Sequence, residues 1–266
     1  MNKNKIKFIH ANGFPPNAYE SMIKCLSNNT NIDFFLLNEE SFIIEKIKDW
    51  IPFHNSFVKS LDKKIIGIGH SIGGNIVLRS ALTNPNKFSK IILLDPTLFI
   101  PRIIYGYIIC SKFGLEKKVH PFLSATTKKK TIYKNHDSMF NSYRKKMIFS
   151  KINDKNLKIY INSITNKNGN QIKLNFSKEW EYHIYKTGLI ADMFIWKNIS
   201  KLTVPCLVIK AENSNAFLES SKNKMAKLNP NIIFHTIKDS THLFPLEFPE
   251  KTADLINNFI QSKQNK

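Results

Sequence analysis

The stretch "IIGIGHSIGGNIVL", Ile65 to Leu78, decides how the chain is read. An apolar run of strand type, "IIGIG", meets a sharp glycine turn and continues as an apolar run of helical type, Asn75–Thr83. Ser71 stands at the apex, with Gly69 two residues before it and Gly73 two after. A strand that turns directly into a helix brings the two backbones close together, and residues without side chains are needed there. The turn lifts the Ser71 hydroxyl above the sheet edge, in a strained backbone position, and aims the helix N-terminus at the same point. The N–H of Ile72 then faces any oxyanion formed on a substrate attacked by Ser71. The pattern G-x-S-x-G between a strand and a helix is the setting of a nucleophile elbow.

Outward from this turn the chain alternates. "IKFIH" (Ile6–His10), "IDFFLL" (Ile32–Leu37) and "KIILLD" (Lys90–Asp95) read as buried strands, and Phe53–Leu61 as a helix. Strands apolar on both faces and separated by helices predict an α/β fold, a mostly parallel sheet covered by helices on both sides. From Pro96 to about Lys201 the character shifts to aromatics, Lys and Asn, with amphipathic helical stretches such as Trp180–Ile199 and no buried-strand run. "VPCLVIK" (Val204–Lys210) resumes the strand pattern. A helix around Phe217–Leu228, a strand "IIFHTI" (Ile232–Ile237), a loop "KDSTHLFPL" and a C-terminal helix Pro249–Ile260 follow. Residues 1–97 and 200–266 are thus expected to form the core, and 98–199 a helical insertion covering it. The insertion opens with Leu98, Phe99, Ile100, Ile103, Ile104 and Tyr105 and closes with Trp180, Tyr182, Phe194 and Trp196. These apolar residues either line a pocket or pack on the core.

Outside the insertion the chain resembles the α/β-hydrolase superfamily. "HANGFPPNAY", "GHSIGG", "IILLDP" and "THLFPLEFPE" stand in the order and spacing of that family, covering most of the chain outside the insertion. The resemblance implies a capped serine hydrolase that cleaves an ester, thioester, amide or C–C bond, with carboxylic-ester hydrolysis as the default chemistry. It places the second oxyanion N–H on Phe14, in an "NGFP" loop where Asn12 replaces the family's common His. It places the catalytic base on His242, in the loop after the last strand. His70 precedes the nucleophile and has a supporting role. A neutral serine needs such a base, and the base needs an acid to hold its tautomer and stabilise its charge.

At the acid the chain departs from the common pattern. The strand "PCLVIK" is followed by "AENSNAF", with Ser214 and Asn215 where most relatives carry Asp. Glu212 lies very near the strand end. Asp95 ends "IILLD", where some α/β-hydrolases carry their acid, and Pro96 after it favours extended backbone. The C-terminal edge of a parallel sheet is where ligands bind. Charge and geometry favour Asp95 over Glu212 or Asn215, with the order Ser71, Asp95, His242.

At 266 residues with 42% hydrophobic content, the chain can bury a substantial core. Its 40 basic and 20 acidic residues give a net charge of +20. Such a charge admits an anionic partner. The basic residues are nevertheless spread through a chain rich in Lys, Asn and Ile, a composition that reads as a solvated surface, and no nucleic-acid-binding motif is present. The dense runs are "TTKKKTIYK" (Thr126–Lys134) and "YRKK" (Tyr143–Lys146). Cys25, Cys110 and Cys206 show no metal or redox spacing, and no phosphate-binding glycine loop or metal-ligand cluster occurs. A small-molecule acyl substrate, no cofactor and a cytoplasmic setting are expected; the N-terminus lacks an apolar signal segment. Oligomeric state is not encoded in any pattern here. Two further readings share the same residues: a C–C bond hydrolase with the same triad, and a non-catalytic protein of this fold that binds a small apolar ligand.

Overall fold

Why the apolar runs pair as they do is visible in a computed structural model of the chain, which describes residues 4–28, 30–188 and 192–262. The core strands are β1 (Asn4–Ile9), β2 (Thr30–Phe35), β3 (Ile65–His70) and β4 (Phe88–Leu94), with β8 (Cys206–Asn213) and β9 (Ile233–Thr241) following the insertion. They form one sheet in the order β2-β1-β3-β4-β8-β9, and every pairing is parallel. The strand order reverses direction at β1 and β3, so the crevice at the C-terminal ends of these strands is a ligand site by topology.

Side chains alternate between the two faces of the sheet. On one face Phe8, Ile68, Ile92 and Ile209 pack with Met22 of α1 (Glu20–Lys24) and with Ile256 and Phe259 of the C-terminal helix. On the other face Ile9, Ile91, Leu93 and Val208 meet α2 (Ile51–Lys59) and α3 (Ile72–Thr83). All of β3 is buried, as the continuous apolar run requires.

Between β4 and β8 lie α4 (Pro101–Lys112), α5 (Glu116–Val119), α6 (Pro121–Thr127), β5 (Ile132–Tyr133), α7 (His136–Arg144), α8 (Asp154–Ser163), β6 (Thr165–Asn168), β7 (Gln171–Leu174), α9 (Lys178–Gly188) and α10 (Asp192–Asn198). α11 (Glu219–Leu228), α12 (Phe244–Glu247) and α13 (Pro249–Gln261) complete the core. The insertion is mostly helical, but it also holds a three-stranded antiparallel sheet, β5-β7-β6, which the sequence reading lacked. These strands are two to four residues long and carry too few apolar positions to stand out. Their one strong signal is the turn between Asn168 and Gln171, where Gly169 takes a positive φ of 58°, as two-residue hairpin turns demand. Of the stretch Trp180–Ile199, residues 189–191 lie outside the described residues. Among the described residues no helix is long and apolar enough to cross a membrane.

Candidate active site

The elbow has the strain that its sequence implies. Ser71 sits at φ 57°, ψ −120°, a region that side-chain-bearing residues rarely occupy. Two glycines make this possible. A Cβ on Gly69 would lie 2.2 Å from the carbonyl oxygen of Gly73, and one on Gly73 would lie 2.2 Å from that of Ile9. No side chain fits where strand and helix cross. The Ser71 N–H extends the ladder to the Leu94 carbonyl (3.0 Å), and its own carbonyl accepts the Thr97 N–H (3.0 Å). Ile72 is the first residue of α3, so its N–H has no acceptor within the helix.

Asp95 and His242, named from stretches almost 150 residues apart, are hydrogen-bonded. The His242 Nδ1–H donates to Asp95 Oδ2 at 2.7 Å. The Asp95 carboxylate is fully buried and has two further donors: the Ala211 N–H reaches Oδ1 (2.9 Å), and the Ser214 hydroxyl reaches Oδ2 (2.5 Å). Burying a carboxylate is tolerable only with such satisfaction. The backbone differs from expectation: Asp95 has φ +41° instead of the extended conformation that Pro96 favours. The sheet enforces it, since the Asp95 N–H is still held by the Ile209 carbonyl (2.8 Å) while the chain turns back toward Ser71.

The other residues considered make different contacts. Ser214, where the resemblance implies an acid, donates to Asp95 and accepts the Phe217 N–H (2.8 Å). Glu212 accepts the Asp239 N–H (2.8 Å), and Asn215 lines the cavity above the site.

With its Nδ1 proton facing the carboxylate, His242 presents a lone pair on Nε2, the tautomer a general base needs. Its backbone is fixed from beneath. The Ala11 N–H donates to the Tyr19 hydroxyl (3.1 Å), Tyr19 donates to His70 Nδ1 (2.7 Å), and His70 Nε2–H donates to the His242 carbonyl (2.9 Å). This buried chain ties the loop after β1, the elbow and the histidine loop together. Burial, aided by the neighbouring His242, pushes the His70 pKa well below the usual histidine value, so the ring stays neutral. Sequence reasoning gave His70 a supporting role without a partner; Tyr19 supplies it.

Ser71 Oγ is 3.0 Å from Thr97 Oγ1 and makes no hydrogen bond to His242 among the described residues. Thr97 is held in turn by Asn75, whose side-chain amide donates to its carbonyl (2.8 Å). Serine–histidine contacts are often long before substrate binds. Thr97 was not singled out in the sequence; its place two residues after Asp95 is the only signal. Phe14 lies in a turn whose third residue, Gly13, has φ 74°, and its N–H donates to the Ala11 carbonyl (3.0 Å). Its ring stacks on Tyr160 at 4.6 Å.

Ser71, Ile72, Phe14, Thr97 and His242 open into one cavity of about 450 Å³. Its outer wall comes from the insertion: Phe122, Tyr133, Tyr143, Phe149, Tyr160 and Tyr185. Of the two roles open to the ten apolar residues at the ends of the insertion, packing prevails. Leu98, Ile104, Trp180 and Trp196 are buried in the core, Tyr105 is exposed, and of the ten only Phe99 lines the cavity. Amphipathic helices buried on the sheet use their largest residues for packing. Among the described residues no three His, Cys, Asp or Glu side chains converge as metal ligands do.

Known proteins share this fold. A family model described as the alpha/beta hydrolase fold matches residues 59–249. The uncharacterized hydrolase YugF of Bacillus subtilis (strain 168) is 26% identical over 212 residues, covering 75% of this chain and 66% of YugF. A type I acyl-CoA thioesterase, mpaH' of Penicillium brevicompactum, is 34% identical over 55 residues, covering 21% of this chain and 13% of that protein. The chain thus spans less than two thirds of the length of these relatives. Among solved structures, E-2-(acetamidomethylene)succinate hydrolase superposes with a TM-score of 0.79 at 16% identity, covering 98% of this chain and 92% of the other. The peroxisomal α/β-hydrolase Lpx1 of Saccharomyces cerevisiae superposes with a TM-score of 0.70 at 17% identity, covering 100% and 80%. The protein belongs to the α/β-hydrolase family.

Proposed function

We propose that this hydrolase cleaves the carboxylic ester, or a related acyl bond, of a small substrate with an apolar body, through a Ser71–His242–Asp95 triad and an acyl-enzyme. The observation that carries this reading is the 2.7 Å contact between His242 and a fully buried Asp95, beside a serine on a strained elbow. Ser71 Oγ leaves Thr97 and attacks the substrate carbonyl while His242 Nε2 takes its proton. The carbonyl oxygen becomes an anion, received by the Ile72 N–H at the helix N-terminus and by the Phe14 N–H, which turns from Ala11. His242 returns the proton to the leaving oxygen, and the acyl group stays on Ser71. A water, deprotonated by His242, then attacks the acyl carbon and releases the acid and the free serine. Residues 98–199 act as a cap whose aromatic wall excludes water and holds the acyl chain.

The test is hydrolysis of p-nitrophenyl butyrate by the full chain. Ser71→Ala, which removes the attacking oxygen and nothing else, is expected to lower kcat by at least about a thousandfold. Turnover that survives in the folded variant would remove Ser71 from the mechanism. A folded parent protein with no turnover on esters, thioesters or diketones would favour the ligand-binding reading.

A further inference from the structure

Side chains from the two densest basic runs of the sequence reach the active-site cavity; Lys128 and Lys130 are also exposed to solvent, whereas Lys129 and Lys146 are partly buried. Lys128, Lys129 and Lys130, from the segment after α6, and Lys146, just after α7, all line the cavity. Among the described residues lining the cavity, Glu181 is the only carboxylate, set against these four ammonium groups. Lys129 is paired with it, with Nζ 2.7 Å from Glu181 Oε2, and both side chains are largely buried. Lys146 has no carboxylate partner among the described residues. Its Nζ lies 4.0 Å over the ring of the buried Tyr143, and Lys130 Nζ lies 4.9 Å over the ring of Tyr133. A half-buried ammonium held by an aromatic face is poorly satisfied, since a ring offers no oxygen acceptor. Burial and the nearby Lys129 charge push the Lys146 pKa below its usual value, with Glu181 only partly offsetting them. An anion bound there would relieve both.

We infer that the substrate carries an anionic group, a carboxylate or a phosphate, remote from the scissile carbonyl, and that Lys146 with Lys130 at its side receives it. The inference rests on Ser71 opening the same cavity to an acyl substrate. The aromatic wall holds the apolar body, and the lysines fix the charged end. A fixed charged end sets which carbonyl reaches Ser71, so this contact selects substrate as well as adding affinity. A neutral ester of equal length leaves Lys146 without its acceptor.

The experiment compares matched pairs. p-Nitrophenyl hemiglutarate differs from p-nitrophenyl pentanoate by a terminal carboxylate in place of a methyl; acetyl-phosphopantetheine differs from acetyl-pantetheine by a phosphate. In at least one pair kcat/KM is expected to favour the anionic member by about tenfold, the value of a charge-assisted hydrogen bond. The favoured pair identifies the anion. Lys146→Gln should bring that ratio close to unity, Lys146→Arg should keep most of it, and added salt should reduce it. Calorimetric titration of Ser71→Ala with the same four compounds reads the preference without turnover. A binding preference with no turnover in the parent protein would keep the anion site and count against ester and thioester cleavage. Equal binding and equal kcat/KM within both pairs would overturn it, as would a preference unchanged in Lys146→Gln.

Discussion

Replacing Asp95 by Asn tests the acid in a way the structure makes specific. Asp95 Oδ1 accepts the Ala211 N–H at 2.9 Å, and Oδ2 accepts the Ser214 hydroxyl and the His242 Nδ1–H. An asparagine can satisfy the fixed Ala211 donor only with its carbonyl oxygen. Its NH2 group must then occupy the Oδ2 position and face His242 Nδ1. Two donors cannot share that contact, so the imidazole proton moves to Nε2, and the atom that should take the Ser71 proton no longer has a lone pair. The imidazolium also loses its counter-charge. The expected loss is about 10⁴-fold in kcat, or about 5.5 kcal/mol of transition-state stabilisation. Initial rates on p-nitrophenyl butyrate near neutral pH measure it, with circular dichroism confirming that the variant folds. Ser214→Ala supplies a graded control. It removes one of three donors and leaves the charge, so a loss of about tenfold is expected, about 1.5 kcal/mol. A folded Asp95→Asn variant retaining more than about a tenth of the parent kcat would refute the acid assignment.

Tyr19→Phe removes the hydroxyl between Ala11 and His70, leaving two buried polar groups unpaired. A cost of about 1–3 kcal/mol for each is expected, read as a lower urea midpoint with an unchanged slope; an unaltered midpoint would show that the chain from Ala11 to His242 contributes nothing. Burial holds the His10 pKa down to about 4, and its ring donates to the Ala11 carbonyl and accepts the Leu37 N–H. The unfolded chain, with an ordinary histidine near 6.5, therefore binds a proton between about pH 6.5 and 4 that the native protein refuses. Stability present above pH 6.5 is lost as pH falls through that window, by up to about 3 kcal/mol for this residue. Urea unfolding at pH 7, 6 and 5 checks this, and a flat profile would contradict it.

The core was legible because its signals are local and steric. Gly69 is demanded where β3 turns into α3 and Gly73 where α3 passes the end of β1, and β3 and β4 are apolar on both faces. Asp95 could be named because Ser214 and Asn215 left no carboxylate at the more common position. What stayed hidden depends on tertiary pairing. β9 runs to Thr241, well past the expected Ile237, because Asn213 pairs with Thr241 across a register shift and Asp239 takes a positive φ of 56°. Polar "KDST" has no strand propensity to announce this, and pairing decides it. Composition likewise cannot tell a packing tryptophan such as Trp196 from a pocket-lining tyrosine such as Tyr143, nor which lysines of a run reach a cavity. Both depend on how the insertion packs on the core.

The triad as a whole is tested most directly by trapping its nucleophile. The protein treated with a fluorophosphonate and digested for mass spectrometry should yield one phosphonylated peptide, carrying the modification on Ser71. Labelling should vanish in Ser71→Ala and slow severely in His242→Ala. An adduct on another residue, or labelling of Ser71 that proceeds at the parent rate without His242, would contradict the mechanism.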